Sequence, residues 1–247
     1  MNPVRRSENS LVELGRAFMP GNPTPRMGEE VNRENVDCID SRSCARLYFR
    51  IQEEHMAKSI KGSKTEQNLL KAFAGESQAR NRYTYFASAA RKEGFEQIAN
   101  IFAETAANEK EHAKVFFKHL EGGDLEITAT YPAGAIQETK ANLEAAAAGE
   151  KAEWTAIYPD FGKIARDEGY PEVARSFDQI AKVEKFHESR YRKLIDNVTN
   201  GEVFKRKSAV KWHCINCGYI FEGTEPPKEC PACRHPQAFY EVLAENY

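Results

Sequence analysis

Between residues 64 and 200, apolar side chains recur every three or four positions through stretches rich in Ala, Glu, Lys and Leu, with prolines only at the edges of the runs. Such spacing gathers the apolar positions on one face of an α-helix, the face that must be covered. A first helix is predicted over residues 65–93, with Leu69, Leu70, Phe73, Ala74 and Ser77 along one side and Gly94 marking a tight break. A second is predicted over 95–120, stopped by Gly122-Gly123, because glycine accepts the left-handed backbone that closes a helix. After a connection over 123–135, a third runs from 137 through 158, where Pro159 interrupts or kinks it before the pattern resumes to Glu168. Gly169 closes that segment, and Pro171, suited to a first helical turn, opens a fourth helix reaching about residue 199.

The chain also repeats itself. Residues 90–112 and 165–187 are identical at ten of 23 positions at an offset of 75. Ala90-Arg91, Glu93-Gly94, Ala99, Phe102, Ala106, Glu109-Lys110 and His112 recur as Ala165-Arg166, Glu168-Gly169, Ala174, Phe177, Ala181, Glu184-Lys185 and His187. Two helical hairpins built on one pattern can bury every apolar stripe by packing together, so the expected fold is mainly α, a four-helix bundle.

The most informative part of the repeat is Glu109-x-x-His112 and Glu184-x-x-His187. Residues three apart share a helix face, so each pair can aim a carboxylate and an imidazole at one point. Glu76 precedes Glu109 by 33 residues and Glu150 precedes Glu184 by 34, the separation that brings a helix and its returning partner to the same height. Both lie among small or apolar residues, where a carboxylate is costly unless paired or bound to a metal. One Glu from each of two helices and Glu-x-x-His from each of the others is the di-iron or di-manganese site of ferritin-like bundles. Carboxylate and imidazole donors without thiolates suit iron or manganese rather than a structural zinc. Glu153, one turn after Glu150, offers a seventh ligand that this pattern does not require, or is a surface residue.

Charge and cysteine usage divide the chain further. Residues 1–55 hold eight arginines and no lysine, against eighteen lysines and nine arginines over 56–247. That first stretch has no sustained period and lacks the apolar centre of a secretory signal, so a disordered extension over 1–56 is expected, with Met56 a second possible start. Cys38 and Cys44 within it are expected to be free thiols. The remaining cysteines form two C-x-x-C knuckles, Cys214/Cys217 and Cys230/Cys233, with twelve residues between. This is metal-site spacing in a segment too short to fold comfortably without its metal, and spacing alone favours a zinc ribbon over a single iron. A net charge of -2 gives no attraction for nucleic acid, and no apolar run is long enough to span a membrane. A reducing cytoplasm is the expected compartment.

Gly75-Glu76-Ser77-Gln78-Ala79-Arg80-Asn81-Arg82-Tyr83, with the two Glu-x-x-His pairs, resembles rubrerythrin, and Cys214-x-x-Cys217-Gly218-Tyr219 followed by Cys230-Pro231-x-Cys233 resembles rubredoxin. The rubrerythrin family joins these modules in this order, and the resemblance covers about residues 57–247. It implies a ferritin-like di-iron domain over 57–204 and a small, β-rich rubredoxin-like domain over 209–247. The implied activity is reduction of hydrogen peroxide to water, as oxidative-stress protection, with electrons entering through one four-cysteine iron from a reductase or a small electron-transfer protein. Implied iron ligands are Glu76, Glu109, Glu150, Glu153, Glu184 and His187, with Glu109 and Glu184 bridging, and with His112 exchanging for Glu153 on one iron as its oxidation state changes. Tyr83 and Tyr158 match tyrosines that hydrogen-bond ligand carboxylates, and a head-to-tail homodimer is implied. The alternative activity is ferroxidase or iron handling, which needs no one-iron redox tail.

Overall fold

A computed structural model describes residues 58–246. The expectations for residues 1–56, including the free thiols Cys38 and Cys44 and the possible start at Met56, lie outside the described residues. Helix α1 spans Lys64–Lys92 and α2 spans Glu96–Lys118. Helix α3 spans Thr139–Ala152 and passes through a π-helical turn, Glu153–Ile157, into α4, Tyr158–Asp167; α5 spans Pro171–Thr199. The α1–α2 hairpin packs against the hairpin of α3, α4 and α5, giving the expected bundle. No helix among the described residues is long and apolar enough to cross a membrane.

The irregularity in the third helix lies elsewhere than expected. Pro159 directly follows the π turn, at the start of α4, and the break in the α pattern is that turn, Glu153–Ile157. The repeat explains why. Thr65, Asn68, Leu69, Ala72, Gly75 and Glu76 recur as Thr139, Asn142, Leu143, Ala146, Gly149 and Glu150 at an offset of 74, whereas Tyr83 and Phe86 recur as Tyr158 and Phe161 at 75. The second hairpin therefore carries one extra residue between its Glu and its Tyr. A π turn, with its wider hydrogen-bonded loop, absorbs one residue without ending the helix.

The hairpins are tied to each other reciprocally at their ends. Glu93, after α1, accepts from the Thr139 N–H at 2.9 and 3.1 Å. Glu168, after α4, accepts from the N–H groups of Lys64 and Thr65 at 3.2 and 2.8 Å and from Thr65 Oγ1 at 2.6 Å. Each carboxylate thus meets the unpaired N–H groups, and the positive dipole end, of the helix that begins the other hairpin. Gly94 and Gly169 follow with φ of +85° and +84°, which lets Phe95 N donate to Ala90 O at 2.9 Å and Tyr170 N to Ala165 O at 2.8 Å. The repeated Glu-Gly pair is a closure used twice.

Two apolar clusters fill the bundle. One gathers Tyr83, Phe86, Ile98, Phe102, Leu143 and Tyr191; the other gathers Leu69, Phe116, Tyr158, Tyr170 and Phe177. C-terminal to the bundle, β1 (Val210–Cys214) pairs antiparallel with both β2 (Ile220–Gly223) and β3 (Tyr240–Val242), in the order β2-β1-β3. Trp212, Cys214, Cys230 and Tyr240 form its small core.

Glu168→Ala and Glu93→Ala remove these caps, so each is expected to destabilise the protein by about 1 kcal/mol. Thermal unfolding checks this: both variants should melt below the parent, and an unchanged midpoint in both would show that the caps are incidental.

Candidate metal centres

Each helix face that lines the bundle interior delivers one or two polar groups to its middle. Glu76 comes from α1, Glu109 and His112 from α2, Glu150 from α3, and Glu184 and His187 from α5. All four carboxylates are at most 1% exposed. They form two overlapping quartets, Glu76/Glu109/His112/Glu184 and Glu109/Glu150/Glu184/His187, whose donor atoms lie within 4.8 Å of one another. Glu109 and Glu184 belong to both.

The donors converge and, apart from the His112 Nδ1–Glu109 Oε2 hydrogen bond, leave much of one another unsatisfied. His112 Nδ1 is 2.9 Å from Glu109 Oε2 and 2.9 Å from Glu184 Oε1, and 3.8 Å from Glu76 Oε2. His187 Nδ1 is 2.8 Å from Glu184 Oε2, 3.2 Å from Glu109 Oε1 and 3.5 Å from Glu150 Oε2. Yet Glu76 Oε2, Glu109 Oε1, Glu150 Oε2, both Glu184 oxygens and His187 Nδ1 have no hydrogen-bond partner among the described residues. Buried acceptors left this way are expensive, and oxygens and nitrogens aimed at common points instead of at donors are what a bound cation requires. The residues fit two metal ions.

Protonation carries the same message. Burial, together with the charges of Glu109 and Glu184, pushes the Glu76 carboxyl well above the ordinary range. Burial lifts Glu150 as well, to about 8, with His187 opposing and the neighbouring carboxylates reinforcing. At Glu109 burial acts upward too, but His112 and His187 hold it down at about 2. Burial disfavours the imidazolium forms, yet the surrounding carboxylates raise His112 to about 9 and His187 to about 12. Without metal, protons must neutralise the cluster; a metal displaces them.

The tyrosines hold the carboxylates in place. Tyr83 Oη donates to Glu150 Oε1, and Tyr158 Oη to Glu76 Oε1. Each apolar cluster therefore contributes one tyrosine, bonded across to the other hairpin, and each leaves the second carboxylate oxygen to the centre. Glu153 belongs to neither quartet. It is half-buried in the π turn, on the wall of a cavity of about 790 Å³ that Gln78, Arg82 and Tyr158 also line. Trp154 Nε1 donates to Glu188 Oε2 at 2.7 Å, tying the π turn to α5 beside His187. The offset change from 74 to 75 was the signal in the sequence that could have located this turn.

Four thiols converge in the C-terminal sheet, with Sγ–Sγ distances of 3.8 Å for Cys214–Cys233 and 3.7 Å for Cys217–Cys230. The residues after the two knuckles, Gly218 and Arg234, both have positive φ, +82° and +64°, so the knuckles share one turn geometry. A backbone N–H bond from His235 holds Cys233 down at about 6, whereas crowding by the other thiols outweighs the Tyr219 N–H bond and pushes Cys217 up to about 12. Four thiolates this close need a cation to coexist.

Over residues 67–195 the chain matches the rubrerythrin family, and over 212–241 the rubredoxin-like domain of rubrerythrin. It is 59% identical over 196 residues to rubrerythrin of Porphyromonas gingivalis, spanning 79% of this chain and 98% of that protein. The chain belongs to the rubrerythrin family. Rubrerythrin of Nitratidesulfovibrio vulgaris is 60% identical over 190 residues, 77% of this chain and all 100% of that one. Among solved structures, nigerythrin in a mixed-valence state is similar at a TM-score of 0.50 and 29% identity, over 76% of this chain and 94% of that one. Its fully reduced, all-ferrous state gives 0.50 and 30%, over 76% and 95%. Like other rubrerythrins, the chain therefore carries a Glu/His di-iron ligand set in a ferritin-like domain and a four-cysteine site in a rubredoxin-like one.

The shifts fix the sign of a pH effect on metal-free protein. Carboxyls raised from 4.5, such as Glu150, make the fold lose stability as pH climbs from 4.5 through about 8. Imidazoles raised from 6.5 contribute stability that is complete below 6.5 and lost through about 9 for His112 and about 12 for His187. Within the buried cluster Glu109 acts oppositely, losing its contribution as pH falls through about 2. In the C-terminal domain Cys233, held down from 9 to about 6, also acts oppositely: its contribution is complete above 9 and lost as pH falls through about 6. With Cys233→Ser removing that opposing contribution, the apoprotein should lose on the order of 2 kcal/mol between about pH 6 and pH 9, and iron in the bundle should suppress the loss. Thermal melts with and without metal test this; an apoprotein equally stable across the range would contradict it.

Proposed function

We propose that this chain, a member of a family of oxidoreductases, is a peroxidase that reduces hydrogen peroxide to water. One peroxide takes two electrons and two protons and leaves as two waters. The observation that carries the reading is the pair of quartets sharing Glu109 and Glu184, on the same chain as a four-thiol redox site. In this reading the bundle occupies residues 57–204 and the electron-inlet domain residues 209–247. Glu76 and His112 would hold one iron and Glu150 and His187 the other, Glu109 and Glu184 would contribute to both, and Cys214, Cys217, Cys230 and Cys233 would hold the single iron.

When bound, the paired irons supply one electron each and stabilise developing oxygen charge, and the thiolate iron passes electrons singly. Nigerythrin has been captured in mixed-valence and all-ferrous states, which supports reading this related centre as an electron store. The chain's own groups do the rest. Tyr83 and Tyr158 fix one oxygen of Glu150 and of Glu76, so the free oxygens keep their aim. The apolar clusters on either side exclude bulk water. Glu153, whose carboxyl burial and neighbouring carboxylates raise well above the ordinary range, stands at a solvent-open cavity where it can take up a proton and hold it for the departing oxygen. His112 stands inside its quartet while Glu153 stands outside, an arrangement consistent with the exchange of these two residues on one iron. The electron source is a reductase or a small electron-transfer protein of the cytoplasm, and the working unit is a head-to-tail homodimer in which one subunit's inlet serves the other's bundle.

Stopped-flow mixing of fully reduced protein with peroxide and, separately, with oxygen tests the reading. Reoxidation by peroxide should be at least about tenfold faster, and faster reoxidation by oxygen would favour iron handling instead. Protein cut after residue 208 should lose turnover with a reductase while chemically reduced bundle still consumes peroxide; undiminished reductase-driven turnover would remove the inlet role.

A further inference from the structure

The space beside Glu153 is far larger than hydrogen peroxide needs. The cavity of about 790 Å³ lies between α1 and the π turn, roofed by Tyr131 and Pro132 of the connection between hairpins. A second, of about 720 Å³, adjoins it, sharing Gln78, Arg82, Gly149 and Ala152 and reaching Tyr85 and Ile136. Two oxygen atoms occupy roughly the volume of two waters, about 60 Å³, whereas pockets of about 300–1,000 Å³ hold organic ligands.

The space is built into the repeat. Gly75 and Gly149 occupy matched positions on α1 and α3. A Cβ at Gly75 would stand 3.6 Å from the Tyr131 ring, and one at Gly149 would stand 3.7 Å from Arg82 Nη2. Tyr131 Oη donates to Lys71 O at 2.7 Å, pinning the roof to α1. Where the two cavities meet stands Arg82. Its Nε donates to Gln78 Oε1 at 2.7 Å, and Gln78 Nε2 donates in turn to Gly75 O at 2.8 Å. Its guanidinium lies over the Tyr83 ring at 5.6 Å and forms no ion pair with a carboxylate among the described residues, so a side chain that lines both cavities keeps N–H donors to spare. Beyond it the second cavity is walled by Tyr85, Phe86, Ile136, Ala145 and Ala148. A polar end beside Glu153 therefore leads into a largely apolar groove that is open to solvent, with Tyr85 and Ile136 50% and 59% exposed and with Asn81 and Gln137 also lining it.

We propose that this paired cavity binds alkyl hydroperoxides as substrates, the hydroperoxide group lying between Arg82 and Glu153 and the organic group in the second chamber. The inference rests on the peroxidase reading and extends its substrate class. In the reaction the O–O bond breaks, two electrons arrive by the inlet from the same reductase-class donor, and two protons come from solvent. The oxygen bonded to carbon leaves in the alcohol, and the other leaves as water.

The test joins a binding readout to turnover. Calorimetric titration of oxidised holoprotein with 2-phenyl-2-propanol, the alcohol formed from cumene hydroperoxide, should show one saturable site. Ala148→Trp and Ala145→Phe, which fill the far chamber from adjacent turns of α3, should weaken that binding at least about tenfold. They should lower kcat/KM for cumene hydroperoxide to the same degree while leaving hydrogen peroxide within about twofold, a loss confined to one substrate's binding. Hydrogen peroxide reduction without alcohol binding overturns the inference and leaves the peroxidase reading standing. Equal loss of both peroxides in the filled variants also overturns it. Alcohol binding with neither peroxide reduced overturns the peroxidase reading, and this inference with it.

Discussion

Four carboxylates buried at the middle of a helical bundle are the constraint on which the rest of this structure depends. Glu76, Glu109, Glu150 and Glu184 are taken almost wholly out of water and mostly denied hydrogen-bond donors. Left as anions in an apolar interior they would repel one another and forfeit their hydration, a cost no amount of flanking Phe and Leu readily offsets. Cations at the two shared positions resolve it. That explains why the apolar core is split into two clusters with a polar layer between, and why each cluster sends one tyrosine hydroxyl to that layer.

Much of this was legible in the sequence, because a metal site on helices writes its geometry into residue spacing. The helix boundaries moved by only a few residues, and the six donors that form the quartets are the four that the repeat singles out together with Glu76 and Glu150, which spacing to Glu109 and Glu184 pointed to. Glu109 and Glu184, at equivalent positions of the two hairpins, are also the two that the quartets share. The repeated Glu-Gly pair was visible too, but its purpose was not. Only three-dimensional proximity reveals that Glu93 and Glu168 cap helices that begin far away in the chain. The π turn was misread for a physical reason: proline is the obvious disruptor of a helix, whereas an inserted residue leaves no compositional mark. It shows only as a slip in the repeat offset between Glu150 and Tyr158.

The C-terminal domain illustrates a different limit. Two C-x-x-C knuckles announce a tetrahedral metal site, and the strands supply the expected sheet, but spacing does not distinguish iron from zinc because both accept four thiolates. Family membership, through the rubredoxin-like match over residues 212–241, is what turns the site toward iron. The cavities beside Glu153 were not legible at all. They depend on how the connection at Tyr131 folds back over α1, a proximity that residue spacing does not record.

The central claim is that buried carboxylates and imidazoles enclose two irons while the cysteines enclose one. Anomalous diffraction from crystals of iron-grown protein, recorded on both sides of the iron and zinc edges, addresses it most directly. The account expects one iron peak within each of the two Glu/His quartets and one among Cys214, Cys217, Cys230 and Cys233. Quartets without a metal peak, or a cysteine site that responds at the zinc edge alone, would contradict it.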